Sequence, residues 1–171
     1  DVPIVMTQYA VDTLRARDPH IYLERIPRGI DTRVFYPLDK QYARKLLHKD
    51  IADRFIVGNI GRFFDRKQIG RSLEAFAKVI ADGKHKNWLF YYHGDITDQE
   101  SLGQGKTLIG EDGLVERYGI NEQFTYTKGI EVGRGIPEHI MNVIHNSMDV
   151  LVSSSQGEGW GLPIVQSLSC G

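Results

Sequence analysis

Apolar runs at residues 55–60, 88–92, 123–127 and 148–152 alternate with helical patterns at 72–80, 108–118, 137–144 and from Pro163 onward. The first helical stretch spaces Leu73, Phe76, Ala77 and Ile80 along one face. Alternating strands and helices imply a parallel sheet joined by right-handed crossovers. The expected fold class is therefore α/β, a doubly wound parallel sheet. In the order 3-2-1-4 the first and fourth strands are neighbours, and ligands bind outside their carboxyl ends.

Residues 1–30 read differently. A short strand at 2–6 precedes a helix at 9–17, closed by Asp18-Pro19, and an alternating strand at 21–26 runs into the turn Pro27-Arg28-Gly29. Phe35-Tyr36-Pro37 is an apolar anchor, and Asp39 is placed to cap a helix running to about residue 48.

At 171 residues the chain amounts to one domain or one and a fraction. A hydrophobic content of 41% suits a soluble globular protein. A net charge of −1 gives no electrostatic drive toward nucleic acid or an acidic membrane. The single Cys170 excludes a disulfide framework and fits a reducing, cytoplasmic compartment. No apolar run approaches the ~20 residues that span a bilayer. The chain starts at Asp1 and stops at Gly171 inside a helical pattern, so it is expected to be a truncated piece of a longer protein.

The chemistry concentrates in two strand-to-helix loops. After the fourth strand come Ser153-Ser154-Ser155-Gln156-Gly157-Glu158-Gly159-Trp160-Gly161-Leu162-Pro163. Pro163 suits a first helical turn, where its missing N–H costs nothing. Free backbone N–H groups at a helix start favour an anion or sugar hydroxyls, and the Glu158 carboxylate can accept hydrogen bonds from a polar ligand. After the first strand come Gly61-Arg62-Phe63-Phe64-Asp65-Arg66-Lys67. Two or three cations there suit a diphosphate, Arg as a planar fork and Lys as a point charge; alone, the loop reads equally as a solvated basic turn. The expected topology brings both loops to one crevice and points to a phosphate-bearing ligand.

These two loops resemble the donor-site signature of retaining GT-B glycosyltransferases of the family 4 (group 1) type. That pattern is Glu, then Gly-Phe-Gly-Leu-Pro, with a second Glu eight positions after the first. Here Trp160 stands for the Phe and Gln166 for the second Glu. The resemblance implies a Rossmann-like GT-B C-terminal domain over residues 31–171, incomplete at its end. It implies that residues 1–30 are the tail of an absent N-terminal domain with the interdomain junction, Pro27-Arg28-Gly29-Ile30-Asp31 matching the usual Pro-Asn-Gly-Val-Asp.

It further implies that Arg62 and Lys67 hold the donor diphosphate and that Glu158 is the catalytic acid facing donor-sugar hydroxyls. Gly61, Gly159, Trp160, Gly161, Leu162 and Pro163 would approach sugar and phosphate. Gln166 would meet the ribose, without the charge of a Glu. The implied reaction moves a sugar from a nucleotide-sugar to a sugar, lipid or glycan acceptor on the missing domain, with retention of configuration. Neither cofactor nor metal is implied, because Arg, Lys and a helix dipole can carry the leaving-group charge. The base, uridine, guanosine or adenosine, would be held by backbone groups within 129–138. The full-length enzyme would work in the cytoplasm, with room for peripheral association at the inner face of a membrane. Gln166 also admits an inactive nucleotide-sugar-binding module, and the fold admits a GT-B-like epimerase or phosphorylase.

Other motifs carry less. Gly103-Gln104-Gly105-Lys106-Thr107 ends like a P-loop, but Glu100 occupies the required first Gly position and no apolar strand precedes it. His139 and His145 are six residues apart, the wrong spacing for a helix-face zinc pair, and read as helix-surface or cap residues. His93 reads as structural. The three serines lack a nucleophile elbow and suit hydroxyl hydrogen bonding.

Overall fold

The computed structural model describes residues 2–47, 49–63, 65–97, 107–129 and 135–171. It opens with β1 (Ile4–Val5), α1 (Gln8–Arg17) and β2 (Glu24–Arg25). Thr7 caps α1 by accepting from the Ala10 N–H at 3.1 Å, and Asp18 turns extended before Pro19. β1 and β2 pair with each other in parallel, Ile4 opposite Glu24 and Val5 opposite Arg25. Among the described residues, the partner of each strand is thus the other, across their own helix.

The remainder is α2 (Lys40–Leu47), β3 (Phe55–Ile60), α3 (Ile69–Ile80), β4 (Trp88–His93), α4 (Leu114–Arg117), β5 (Phe124–Tyr126), α5 (Glu138–Ser147), β6 (Val150–Leu151) and α6 (Leu162–Cys170). All four strands of the main sheet are parallel, in the order β5-β4-β3-β6: third, second, first, fourth along the chain.

Successive residues of the central strands feed opposite faces, so both faces need cover. Val57, Phe90 and Tyr92 pack with Leu73 and Phe76 of α3 and Val115 of α4. Ile56, Leu89 and Tyr91 pack with Ile144 of α5 and with Met148. Gly58 marks a close approach: a Cβ there would lie 1.9 Å from the Met148 sulfur.

Two polar groups clamp β6 to β3. At its start, the Asp149 carboxylate accepts from the Ile56 N–H at 2.7 Å, Lys40 Nζ at 2.9 Å and Arg44 Nη2 at 2.5 Å. Arg44 is buried, and also donates to the carbonyls of Ser147 and Ala52. At its far end, buried Asn59 donates through Nδ2 to the Val152 carbonyl at 3.0 Å and lies 3.3 Å from Ser72 Oγ. A second tether fixes the segment before α2. Asn142 and Asn146, one turn apart on α5, accept from the Tyr36 and Leu38 N–H groups, and Asn146 donates back to the Tyr36 carbonyl.

Several elements differ from the sequence reading. The helix expected over 108–118 shrinks to α4, preceded by turns. Gly110 sits at φ 103° and Gly113 is extended, with its Cβ position 2.6 Å from the Ile109 carbonyl carbon, so the helix cannot start earlier. The strands expected at 21–26, 123–127 and 148–152 pair over only two or three residues. Most of the P-loop-like stretch, and residues 130–134 of the expected base-holding segment, lie outside the described residues.

Removing the Asp149 carboxylate strands a buried guanidinium, so Asp149→Ala should cost about 3–5 kcal/mol in urea unfolding. Burial alone would raise the Asp149 pKa, but the Ile56 amide, Lys40 and Arg44 together hold it below the ordinary value. A lowered folded pKa contributes stability that is complete above the unfolded value of about 3.9 and is lost as pH falls through the folded one. The stability gap between the wild type and Asp149→Asn should therefore stay constant near neutrality and narrow only below about pH 4.

Candidate functional site

Adjacent β3 and β6 run the same way, so the loops that follow them emerge side by side. Backbone and hydroxyl bonds stitch the two loops together. The Gln156 N–H donates to the Arg66 carbonyl at 2.9 Å. Ser154 Oγ lies 2.7 Å from the Gln68 carbonyl, 3.1 Å from the Lys67 carbonyl and 2.8 Å from Ser72 Oγ. The serines thus work as hydrogen-bonding groups. Gln68 starts α3 at φ 50°, a left-handed conformation that is strained for a non-glycine residue.

The end of β4 backs the first loop. The Tyr92 hydroxyl donates to the Gly61 carbonyl at 2.7 Å, and the Gly61 N–H donates to the His93 carbonyl at 3.0 Å. A Cβ on Gly94 would fall 2.1 Å from the Gly61 oxygen, so only glycine lets the two backbones meet. Tyr92 and Gly94 escaped the sequence reading. A short aromatic strand ending in His-Gly carries no signal that its tip supports a neighbouring loop.

Charge gathers where the loops meet. Lys67 Nζ lies 2.5 Å from Glu158 Oε1, with the side chains 14% and 24% exposed. Arg66 Nη1 lies 3.3 Å from Glu158 Oε2, donates to the Gly157 carbonyl and lies 3.4 Å from Ser155 Oγ. Partial burial pushes the Glu158 pKa up; the Lys67 and Ser155 hydrogen bonds, the Lys67 charge and Arg66 outweigh it and hold the pKa below the usual value. The carboxylate is therefore ionised at neutral pH. Sequence matching selects Arg62 and Lys67; Arg62 is exposed at the start of the loop, while Arg66 joins the second loop directly. Only the register of the folded loops distinguishes the two arginines.

Gly161, at φ 77° and ψ 50°, swings the chain into α6, with Leu162 and Pro163 in its first turn. A Cβ on Gly159 would lie 3.7 Å from Met6 Cε, so the segment between β1 and α1 faces this loop. Trp160 is half-buried, and its indole N–H is buried with no hydrogen-bond partner. Gln166, half-buried on α6, places Oε1 3.3 Å from His145 Nε2.

His145 is not on the surface. It is 3% exposed and meets the Phe35 ring edge-on at a 6.0 Å centroid distance. The helical spacing of α5 hides this, because the junction segment and α6 cover a face that sequence alone leaves open. His93 is buried at the end of β4, its Nδ1 2.9 Å from Thr127 Oγ1, which lies 2.5 Å from the Tyr91 hydroxyl. Exposed His139 sits apart on the first turn of α5. Among the described residues, no three His, Cys, Asp or Glu side chains gather as a metal site, and no helix is long and apolar enough to cross a membrane.

Burial pushes the pKa of both His93 and His145 down to about 4; the charge of His145 adds to the effect at His93, while Gln166 opposes it at His145. Both rings are neutral in the folded state near pH 7. A lowered folded pKa means stability is intact above the unfolded value of about 6.5 and lost as pH falls toward the folded one. The urea midpoint should drop between pH 6.5 and 4, and a His93→Asn/His145→Gln variant should show a shallower dependence over that window.

The sequence model of the glycosyl transferases group 1 family matches residues 44–171. No curated protein sequence matches the chain significantly. Among solved structures, the C-terminal domain of the group 1 glycosyl transferase LpcC from Francisella tularensis aligns with a TM-score of 0.59 at 23% identity, covering 82% of this chain and 66% of that one. Anabaena Alr3699/HepE in complex with UDP and glucose aligns with a TM-score of 0.72 at 16% identity, covering 99% of this chain and 42% of that one. A glycosyltransferase from Rickettsia africae gives 0.70 at 16% identity, with the same coverages of 99% and 42%. The chain thus spans less than two thirds of the length of these structures. At such identities the likeness is one of fold, the α/β arrangement of GT-B C-terminal domains. The sequence match over 44–171 goes further: the chain belongs to the glycosyl transferases group 1 family.

Proposed function

We propose that this chain carries the donor site of a retaining glycosyltransferase of the family 4 type, which moves a hexosyl group from a nucleoside-diphosphate sugar to an acceptor. The observation that carries this reading is the meeting of Lys67 and Glu158, 2.5 Å apart, on loops from the carboxyl ends of adjacent parallel strands. A ligand in that crevice meets cations, a carboxylate and the amino end of α6 together. Lys67 and Arg62 hold the diphosphate. Glu158 contacts sugar hydroxyls, with Gly61, Gly159, Trp160, Gly161, Leu162 and Pro163 lining the approach, and Gln166 meets the ribose.

As the bond from the anomeric carbon to the diphosphate oxygen breaks, negative charge grows on the leaving phosphate. Lys67, Arg62 and the α6 amide groups stabilise it without a metal. The acceptor binds on a preceding domain that includes residues 1–30, and these 171 residues alone bind donor without turnover. Solved neighbours are recorded with UDP or UDP-glucose, which favours a nucleoside diphosphate over a bare phosphate.

Titration calorimetry with UDP, GDP and ADP tests this directly. One of them should bind, and Lys67→Ala should weaken it roughly ten- to a hundredfold, the loss of a charge-assisted bond worth about 1.5–3 kcal/mol. Uridine, guanosine or adenosine without phosphates should bind equally to both forms. Equal losses for nucleoside and diphosphate, or no binding of any diphosphate, would overturn the assignment.

A further inference from the structure

Glu158 faces two demands at the proposed donor site. Its carboxylate is the group placed for sugar hydroxyls, yet Lys67 and Arg66 both engage it. With Lys67, Arg66 and a Ser155 hydrogen bond on it, most of the roughly four acceptor sites of the carboxylate are taken before a sugar hydroxyl arrives. A diphosphate approaching Lys67 meets an anion already there, and like charges at that spacing repel strongly in a partly dry crevice.

We infer that Glu158 is an internal counter-ion for Lys67 and Arg66, and that the donor diphosphate takes its place. This exchange rests on the reading of the crevice as a nucleotide-sugar site. Binding of the diphosphate breaks the Lys67–Glu158 and Arg66–Glu158 pairs; Lys67, beside Arg62, forms charge-assisted bonds to phosphate oxygens, while Arg66 stays on the Gly157 carbonyl and Ser155. No proton or covalent bond moves. The released carboxylate, still anchored on the loop between Gly157 and Gly159, then turns its lone pairs to the sugar.

Arg66 ties the two loops together. Its guanidinium is shared between Glu158, the Gly157 carbonyl and Ser155 Oγ, while its own carbonyl accepts from Gln156. It can therefore yield the carboxylate while still holding the loop. The site would thus grip a sugar only when a diphosphate accompanies it, which discriminates against free sugars and neutral glycosides.

A double-mutant cycle on UDP binding, read by calorimetry, tests the exchange. Glu158→Gln keeps the shape of the side chain and removes the competing charge, so UDP should bind roughly tenfold tighter. UDP-glucose should gain less, because the sugar hydroxyls exchange a charged acceptor for a neutral, weaker one. In a Lys67→Met background the gain for UDP should shrink to under threefold, since the partner of the exchange is gone. An equal gain in both backgrounds would mean simple repulsion and overturn the inference, as would unchanged or weaker UDP binding by Glu158→Gln. If neither the wild type nor Glu158→Gln binds UDP, GDP or ADP, the nucleotide-sugar reading itself fails, and the exchange with it. UDP binding without the gain would sink the exchange alone.

Discussion

The Asp149 carboxylate sits at the root of the arrangement. It ties the first residue of the β6 approach to the Ile56 amide and holds Arg44 and Lys40 of α2 against the same point. Two parallel strands joined by a long crossover gain few local contacts, and β6 pairs over only two residues. A half-buried, multiply bonded acid therefore sets a register that so short a ladder could not hold. Everything beyond depends on it. Were β6 to slip by one residue, the Ser154, Arg66 and Glu158 contacts between the two loops would be lost together.

Those loops turn a fold-level crevice into a chemically specific one. A doubly wound sheet supplies a cleft at its switch point whatever the sequence. Here the cleft is lined by a cation pair from one side and a carboxylate from the other, with the tip of β4 as a backstop. The strained Gln68 and left-handed Gly161 lie at the starts of α3 and α6, the helices that follow the two loops. Among the described residues, Gln68 is the one non-glycine residue with a positive φ, and it lies at a corner of the site.

Much of this was legible in the sequence. The central strands announce themselves because both faces are buried, leaving uninterrupted apolar runs such as Ile56-Val57 and Leu89-Phe90-Tyr91-Tyr92. The glycine-rich loop with Pro163 marks its helix start by elementary backbone chemistry. Residues whose role depends on tertiary cover stayed hidden. Nothing local marks Asn142 and Asn146, yet they satisfy the backbone of a segment over a hundred residues away. His145 reads as exposed because nothing local says that Phe35 and α6 close over it. The motif spacing singled out Arg62 and passed over Arg66, since only the fold decides which arginine meets the facing loop.

The asparagine tether bears on movement as well as stability. It fixes residues 36–38 to α5, and Ser169 of α6 donates to the Phe35 carbonyl at 2.6 Å. Residues 35–38 are thereby held to the helices that pack on the sheet. Any swing of the β1–α1–β2 unit must then be absorbed by the short stretch from Pro27 to Val34, where Gly29 has open space around it. Met6, at the far end of that lever, is the residue that faces Gly159. A few degrees of rotation at the pivot would widen or shut the gap between Met6 and Gly159, setting how much room the loop between β6 and α6 has.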